Sequence, residues 1–165
     1  MTHHIPARLG ATVVRFLVAS DHEAFIALER DAYVRRYVNG PSRKTDGEFL
    51  HGLRNYVPTT ELLVIADEAS NEFVGRCGLL PLGSTAEVEL FVLLATSHHG
   101  KGIGSLVLQF LIDLAKIQGK RPIGIVHPEN AASRALLERL GMGLTGSVSS
   151  ANYQDGHLRY EPADG

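Results

Sequence analysis

The stretch HHGKGIGSLVL, residues 98–108, places three glycines at alternate positions directly before a run of apolar residues with helical spacing. Glycine in the first turn of a helix costs conformational entropy and weakens that turn. Bare N–H groups at the amino end of a helix, however, attract phosphate, because the helix dipole is positive there. The stretch predicts a strand, a glycine-rich turn and a helix. The turn is either a phosphate site, to which Lys101 adds a cation, or an ordinary loop.

The spacing of the glycines argues against two common nucleotide fingerprints. The P-loop pattern G-x-x-x-x-G-K-[ST] does not occur in the chain. The dinucleotide pattern G-x-G-x-x-G fails from Gly100, because its last position is Ser105, and from Gly102, because its last position is Val107. A nucleotide-binding protein of another α/β fold is therefore the least favoured hypothesis.

The remaining sequence alternates between strand and helix patterns in the order β-α-α-β-β-β-α-β-α-β-β. Strand patterns occupy residues 11–18, 60–67, 72–82, 86–95 and 121–128, and a tail with a hairpin about residues 154–156. Helix patterns occupy residues 20–33, 45–57, 102–118 and 130–142. We expect an α/β chain that forms one domain over residues 1–165, with three consecutive antiparallel strands before the glycines.

Composition limits the classes of partner and compartment. The formal net charge of -2 over 165 residues leaves no basic field for nucleic acid. The longest apolar stretches are far shorter than the ~20 residues that span a bilayer. The first ten residues lack the apolar core of a secretory signal, and the single cysteine cannot form an internal disulfide. We therefore expect a cytoplasmic protein that binds neither nucleic acid nor membrane.

Two motifs in the second half of the chain resemble those of the GCN5-related N-acetyltransferase (GNAT) superfamily. Residues 99–104, HGKGIG, resemble its pyrophosphate loop, which reads Gln or Arg, two residues, Gly, one residue, then Gly or Ala. Gly102 and Gly104 occupy the small positions, while His99 departs from the pattern at the first. Residues 127–142 resemble the second coenzyme A motif: a strand end, an Asn and a helix leading to LGM.

Three further features resemble the branch of ribosomal-protein alanine N-terminal acetyltransferases. They are the V-G-x-x-G-L strand at residues 74–79, an acidic residue early in the next strand, and N-x-x-S at residues 130–133. The resemblance implies transfer of an acetyl group from acetyl-CoA to a primary amine, at a protein N-terminus or on a small molecule, by direct base-assisted attack on the thioester. The alternative is a catalytically silent acyl-CoA-binding module of the same fold.

The resemblance also implies an architecture and a set of coenzyme contacts. The GNAT-like fold has a central mixed, mostly antiparallel twisted sheet of about seven strands flanked by about four helices, and we expect a monomer or a homodimer. In the family, one strand parts from the next, and its freed backbone groups bind the pantetheine arm. The implied coenzyme-binding residues are Phe91, Val92, Leu93, Leu94, His99, Gly100, Lys101, Gly102, Ile103, Gly104, Ser105, Asn130 and Ser133.

Acetyl transfer needs a base for the amine and an acid for the leaving thiolate. Glu87 and Glu89 lie two apart, so their carboxylates share one face of a strand that is otherwise apolar. Glu89 matches the acidic residue of the branch and is the preferred base, with Glu87 as a neighbour that raises its pKa; a solvated polar face is the alternative for both. For the thiolate, Ser133 matches the branch, and its alternative is an ordinary first-turn residue.

Other polar residues have weaker assignments. If a tyrosine protonates the thiolate, Tyr153 or Tyr160 would have to reach the site from the terminal hairpin. The family places acceptor recognition in the first helices and the last hairpin, which makes Tyr33, Tyr37 and Asn152 candidates. We expect no metal, because the histidines have no zinc-ligand spacing, and we expect Cys77 to be a small buried residue.

Overall fold

The computed structural model describes residues 4–83, 86–150 and 153–163. The strands are β1 (Ala7–Leu9), β2 (Thr12–Arg15), β3 (Leu63–Asp67), β4 (Phe73–Pro81), β5 (Glu87–Leu94), β6 (Arg121–Val126), β7 (Met142–Ser150) and β8 (Tyr153–Pro162). The helices are α1 (His22–Arg30), α2 (Asp46–Arg54), α3 (Ile103–Ile117) and α4 (Ala131–Arg139). Short 3-10 turns occupy Ala19–Asp21 and Thr96–His98. None of the helices in the described ranges is long and apolar enough to cross a membrane.

The strands form one sheet in the order β1-β2-β3-β4-β5-β6-β8-β7. Neighbouring strands are antiparallel except β5 and β6, which are parallel and joined through α3. The predicted mixed, mostly antiparallel sheet with four helices is confirmed, but the described residues hold eight strands rather than about seven. The additional strand is β1, which folds back onto β2 through Gly10 at φ +62°.

The terminal hairpin differs from the expected one in the position of its turn. Ser150 of β7 pairs with Tyr153 of β8, so β8 already begins at Tyr153. Residues 154–156 belong to β8 instead. This shift brings Tyr153 into the sheet.

Alternating side chains of the central strands pack against helices on opposite faces of the sheet. Leu63 and Ile65 of β3 belong to the core formed with α3. Val64 and Ala66 of the same strand pack instead against Phe25 of α1 and the apolar residues of α2. The sheet therefore separates an α3/α4 layer from an α1/α2 layer.

Strands β5 and β6 part after a short parallel pairing. In the described chain, their register extends from Glu87 opposite Arg121 to Glu89 opposite Ile123. Beyond this point Gly124, Ile125 and Val126 pair with β8, while β5 continues along β4. A gap therefore opens between two strands in the middle of the sheet.

Close backbone packing holds the outer end of β5 against β4. A Cβ atom on Gly75 of β4 would lie 2.2 Å from the carbonyl oxygen of Leu93, a distance that real Cβ contacts do not reach. The obstacle is backbone, which cannot rotate away as a flexible side chain can. Gly75 is therefore required by the approach of the two strands.

We predict that Gly75→Ala lowers the free energy of unfolding by about 3 kcal/mol, because β5 would have to shift away from β4. Gly52→Ala is the matched control. Gly52 lies inside α2, its Cβ would meet nothing within 4 Å, and alanine favours a helix by about 1 kcal/mol over glycine. Urea unfolding of both variants measures the difference. Equal effects of the two substitutions would contradict the packing argument.

Candidate active site

The gap between β5 and β6 forms one groove that continues to the glycine-rich turn. Its inner half lies between β5, β6 and the start of β8, and is lined by Glu89, His127, Tyr153 and His157. Its outer half lies between the end of β5, the connection from α1 to α2, and the glycines before α3. The two halves are continuous, because they share the lining residues Tyr37, Val38, Val92, Leu108, Asn130 and Ser133.

The glycine-rich turn opens the outer half. Gly100 and Gly102 adopt φ values of +72° and +77°, which side chains rarely adopt, and α3 begins directly after Gly102. Gly104 has an ordinary backbone conformation, and a Cβ there would make only ordinary contacts. The first N–H groups of a helix have no partner inside the helix. Those of the turn and of the first residues of α3, including Ser105, can therefore hold an anion.

The side chains of three residues around the turn are not placed as expected for coenzyme-binding residues. His99 donates from Nε2 to the carbonyl oxygen of Leu94 at 2.8 Å, so this nitrogen fastens the turn to β5. Lys101 is exposed and is not among the described residues that line the groove. Ile103 packs its side chain into the core, so only its backbone can meet a ligand.

The direction of the β5 backbone corrects the expected set of pantetheine contacts. The carbonyl of Glu87 accepts from Leu82, and the N–H of Ala95 donates to Val74, so odd-numbered residues of β5 bond toward β4. Because backbone groups alternate along a strand, the carbonyl of Leu90 and the backbone of Val92 and Leu94 point into the gap, while the N–H of Leu90 still pairs with β6. The expectation is therefore wrong for the backbone of Phe91 and Leu93. It missed Leu90, which the same alternation in the sequence would have identified.

Asn130 and Ser133 lie at the start of α4, where the helix faces the groove. The Oδ1 atom of Asn130 accepts from the backbone N–H of Ser133 at 3.2 Å, as an N-cap does. Both residues line both halves of the groove. The cap thus fixes the backbone of Ser133 in the first turn of α4.

Glu89 occupies the point at which β5 and β6 separate. Its side chain is buried at 6 % exposure, and its carboxylate accepts a hydrogen bond from the hydroxyl of Tyr153. Burial raises the pKa of Glu89, and the hydrogen bond from Tyr153 offsets part of that rise. Burial and the bond to Glu89 also raise the pKa of Tyr153. The pair thus combines a carboxylate poised to take a proton with a hydroxyl that keeps its own.

Glu87 has a different environment from Glu89. Its Oε1 atom accepts from Nη2 of Arg159 at 2.7 Å, and the same nitrogen contacts Glu161 at 2.9 Å. Burial raises the pKa of Glu89 and the hydrogen bond from Tyr153 lowers it, without a contribution from Glu87. The expectation that Glu87 raises the pKa of Glu89 is therefore wrong, because Arg159 neutralises that carboxylate.

The tyrosine candidates are distributed unevenly around the groove. Tyr37 lines it, with its ring 5.1 Å from that of His127. Tyr33 is 54 % exposed outside the described groove lining, beneath the guanidinium of Arg36. Tyr160 is fully buried, and its hydroxyl accepts from Arg134 and donates to Glu138 on α4. The candidate Asn152 lies outside the described residues.

A buried ion cluster fixes the loop that carries Tyr37. Glu29 of α1 bonds Arg76 of β4 through one carboxylate oxygen and Arg35 of the loop through the other. Arg35 also donates to the carbonyls of Val38 and Gly40. The loop is thus fastened to the sheet directly beside the groove.

The described residues contain no group of three or more His, Cys, Asp or Glu side chains that could hold a metal ion. Cys77 is fully buried in the core, and burial raises the pKa of its thiol well above the usual range. A buried, protonated thiol is a poor nucleophile. In the described inner half of the groove, the groups available for chemistry therefore include Glu89, Tyr153, Ser133, His127, His157 and the backbone of β5.

Comparisons with known proteins agree with this geometry. Residues 12–143 match the model of a family described as an acetyltransferase (GNAT) domain. The chain is similar to the crystal structure of an acetyltransferase from Agrobacterium tumefaciens, with 25 % identity, a TM-score of 0.77, and coverage of 99 % of this chain and 98 % of that one. No curated protein sequence matches the chain significantly.

Two structures of lower sequence identity share the fold, and the name of each protein states its acceptor. A spermidine N-acetyltransferase from Vibrio cholerae, in complex with CoA and spermine, has 19 % identity and a TM-score of 0.76, with coverage of 91 % and 94 %. A ribosomal-protein-S5-alanine acetyltransferase from Vibrio fischeri has 17 % identity and a TM-score of 0.71, with coverage of 95 % of each chain. These likenesses concern the fold alone.

We predict that Glu89→Gln stabilises the protein at neutral pH by on the order of 1 kcal/mol, or about 2–4 °C in Tm. Since burial raises the pKa of Glu89, the folded state binds its proton more tightly than the unfolded chain. Ionisation therefore lowers stability as the pH rises, and the difference between variant and wild type disappears below about pH 4, where both states are protonated. Melting curves from pH 4 to pH 8 measure it.

The matched control is Glu87→Gln, which removes the ion pair with Arg159 and no buried charge. This variant is expected to melt at or below the wild-type temperature at neutral pH. A Glu89→Gln variant that is less stable than wild type at pH 8 would contradict the prediction.

Proposed function

The chain belongs to the GNAT acetyltransferase family, and from that membership we propose that it moves the acetyl group of acetyl-CoA onto a primary amine, at a protein N-terminus or on a small molecule. The observation that carries the proposal is the position of Glu89 at the point where β5 and β6 part. A buried carboxylate there lies in the same groove as the backbone N–H of Val92, which is not paired to β6. Amine acetylation needs both kinds of group next to one another.

Acetyl-CoA would bind along the groove with its pyrophosphate at the glycine-rich turn. The N–H groups of Gly102, Gly104 and Ser105 at the start of α3 suit phosphate oxygens. The pantetheine arm would then follow β5 inward, with its amides bonded to the backbone of Val92 and the N–H of Leu94. The thioester would reach the inner half of the groove beside Glu89.

The amine would enter from the α1/α2 side of the sheet, where Tyr37 and the loop anchored by Glu29 border the groove. Glu89 would remove a proton from the amine, directly or through a water molecule. Tyr153 would hold the Glu89 carboxylate in place by donating a hydrogen bond from its hydroxyl group. Its hydrogen bond lowers the pKa of Glu89 and so offsets part of the rise that burial causes.

Attack on the thioester would produce an oxyanion and then a leaving thiolate. The N–H group of Val92, which points into the gap beyond the pairing with β6, suits the oxyanion. Ser133 at the start of α4 is our candidate for the proton donor to the thiolate. Transfer would be direct, because the buried thiol of Cys77 does not face the groove.

The proposal predicts release of free thiol from acetyl-CoA in the presence of an acceptable amine. Glu89→Gln is expected to reduce turnover at least ~10-fold while leaving coenzyme affinity unchanged. Tyr153→Phe removes a bond that lowers the pKa of Glu89, so the acid limb of its kcat/KM profile is expected to move to higher pH. The assay uses a panel of N-terminal peptides, amino acids, polyamines and aminoglycosides.

An unchanged turnover for Glu89→Gln would remove Glu89 from the mechanism. Binding of acetyl-CoA without thiol release for any amine of the panel would instead favour a catalytically silent acyl-CoA-binding module. Calorimetry of acetyl-CoA binding to the wild-type protein, measured beside the thiol assay, identifies the second outcome.

The coenzyme loop is tested by two substitutions with the same backbone strain. Gly102→Val and Gly119→Val both force a branched residue into positive φ, at +77° and +66°, and a Cβ at either position meets nothing within 4 Å. Both are expected to lose comparable stability. Only Gly102→Val is expected to abolish acetyl-CoA binding by calorimetry, because Gly119 lies just beyond the C-terminal end of α3, at the opposite end of the helix from the turn. Equal coenzyme affinities in the two variants would contradict the loop assignment.

A further inference from the structure

His157 of β8 is a buried polar residue that the proposed mechanism does not use. Its side chain is 5 % exposed, and its Nδ1 atom has no hydrogen-bond partner among the described residues. A buried ring nitrogen without a partner costs free energy, since it has lost its hydrogen bonds to water. Such a group calls for a specific explanation, and one explanation is a ligand.

The surroundings of His157 belong to the inner half of the groove. Its ring lies 5.0 Å from that of Tyr153, which holds Glu89, and 5.3 Å from that of His127. His127 in turn lies 5.1 Å from Tyr37, so four rings line this half in sequence. His127 accepts from the backbone N–H of Glu129 through Nδ1, so its equivalent nitrogen is already occupied. The unpartnered nitrogen of His157 therefore differs from its neighbour and lies near the proposed base.

We propose that His157 is a specificity-determining residue that hydrogen-bonds the amine acceptor close to its reacting nitrogen; this inference rests on the proposed function. His157 lines the inner half of the groove and not the outer half, where the coenzyme would lie. Its partner is therefore a group of the acceptor. A neutral imidazole offers one donor and one acceptor nitrogen, and an amide group matches either form.

The charge of the groove indicates the same class of acceptor. Among the described lining residues, Glu89 is the one carboxylate, and the mechanism uses it for the reacting amine. A polyamine carries further ammonium groups, which would find no second carboxylate there. The acceptor that fits is an amine with a neutral polar group, such as an amide, within a few bonds of the nitrogen.

The experiment compares two amines of similar length, glycylglycinamide and hexylamine, with spermidine as a polycation. The wild-type protein is expected to have the highest kcat/KM for glycylglycinamide. His157→Phe keeps a ring but loses the polar nitrogen, and is expected to lower that value about 10-fold while changing hexylamine by less than about 2-fold. His157→Asn, whose amide lies near the position of Nδ1, is expected to restore most of the preference.

Melting temperatures complete the test, because a merely structural histidine would behave differently. His157→Phe removes an unpaired buried nitrogen and is expected to melt at or above the wild-type temperature. Equal losses for glycylglycinamide and hexylamine, no loss for either, or a wild-type preference for spermidine would overturn the inference. Thiol release with hexylamine at the same time would leave the proposed function intact. No thiol release with any of the three amines would contradict both.

Discussion

The early parting of β5 and β6 is the constraint on which the groove depends. The two strands pair in parallel only as far as Glu89 and Ile123 within the described chain, and β6 then turns to β8. At this change of partner, Gly124 of β6 packs closely against α4. A Cβ on Gly124 would lie 2.6 Å from a methyl group of Leu137. Backbone groups left without a strand partner need another one. The sheet thus creates, at its centre, a row of hydrogen-bonding groups suited to a ligand with amides.

A second constraint acts from the opposite face of the sheet. Glu29 is buried at 5 % exposure between Arg35 and Arg76, so its charge is compensated by two guanidinium groups. Buried charges of this kind contribute little net stability, but removing one partner is costly. Their effect here is positional, because Arg35 also binds the carbonyls of its own loop. The loop that carries Tyr37 is therefore held by electrostatics as well as by the apolar contacts of Val34 and Val38.

The parts of the structure that follow from local sequence could be predicted, and the parts that depend on long-range pairing could not. The glycines before α3 and the Asn130 cap of α4 are local signals, and both elements lie where the pattern predicts them. Residues 154–156 resemble a turn, but pairing between β7 and β8 places the turn before Tyr153. The partners of Glu87 and Glu89 are 72 and 64 residues away in sequence, so their different roles could not be predicted from spacing.

In the described inner half of the groove, the two buried polar side chains with the least favourable environments lie close to one another. Glu89 is a buried carboxylate with a raised pKa, and His157 is a buried imidazole with an unpaired nitrogen. Each lowers the stability of the empty fold, while apolar residues of similar size would fit the sheet pattern equally well. Tyr153 connects them, because it bonds one and packs against the other. In the proposed reaction, the amine acceptor would supply both the missing hydrogen-bond partner of His157 and the proton that Glu89 takes. For the same reason, increased stability on replacing either residue would accompany a loss of function rather than an improvement of the protein.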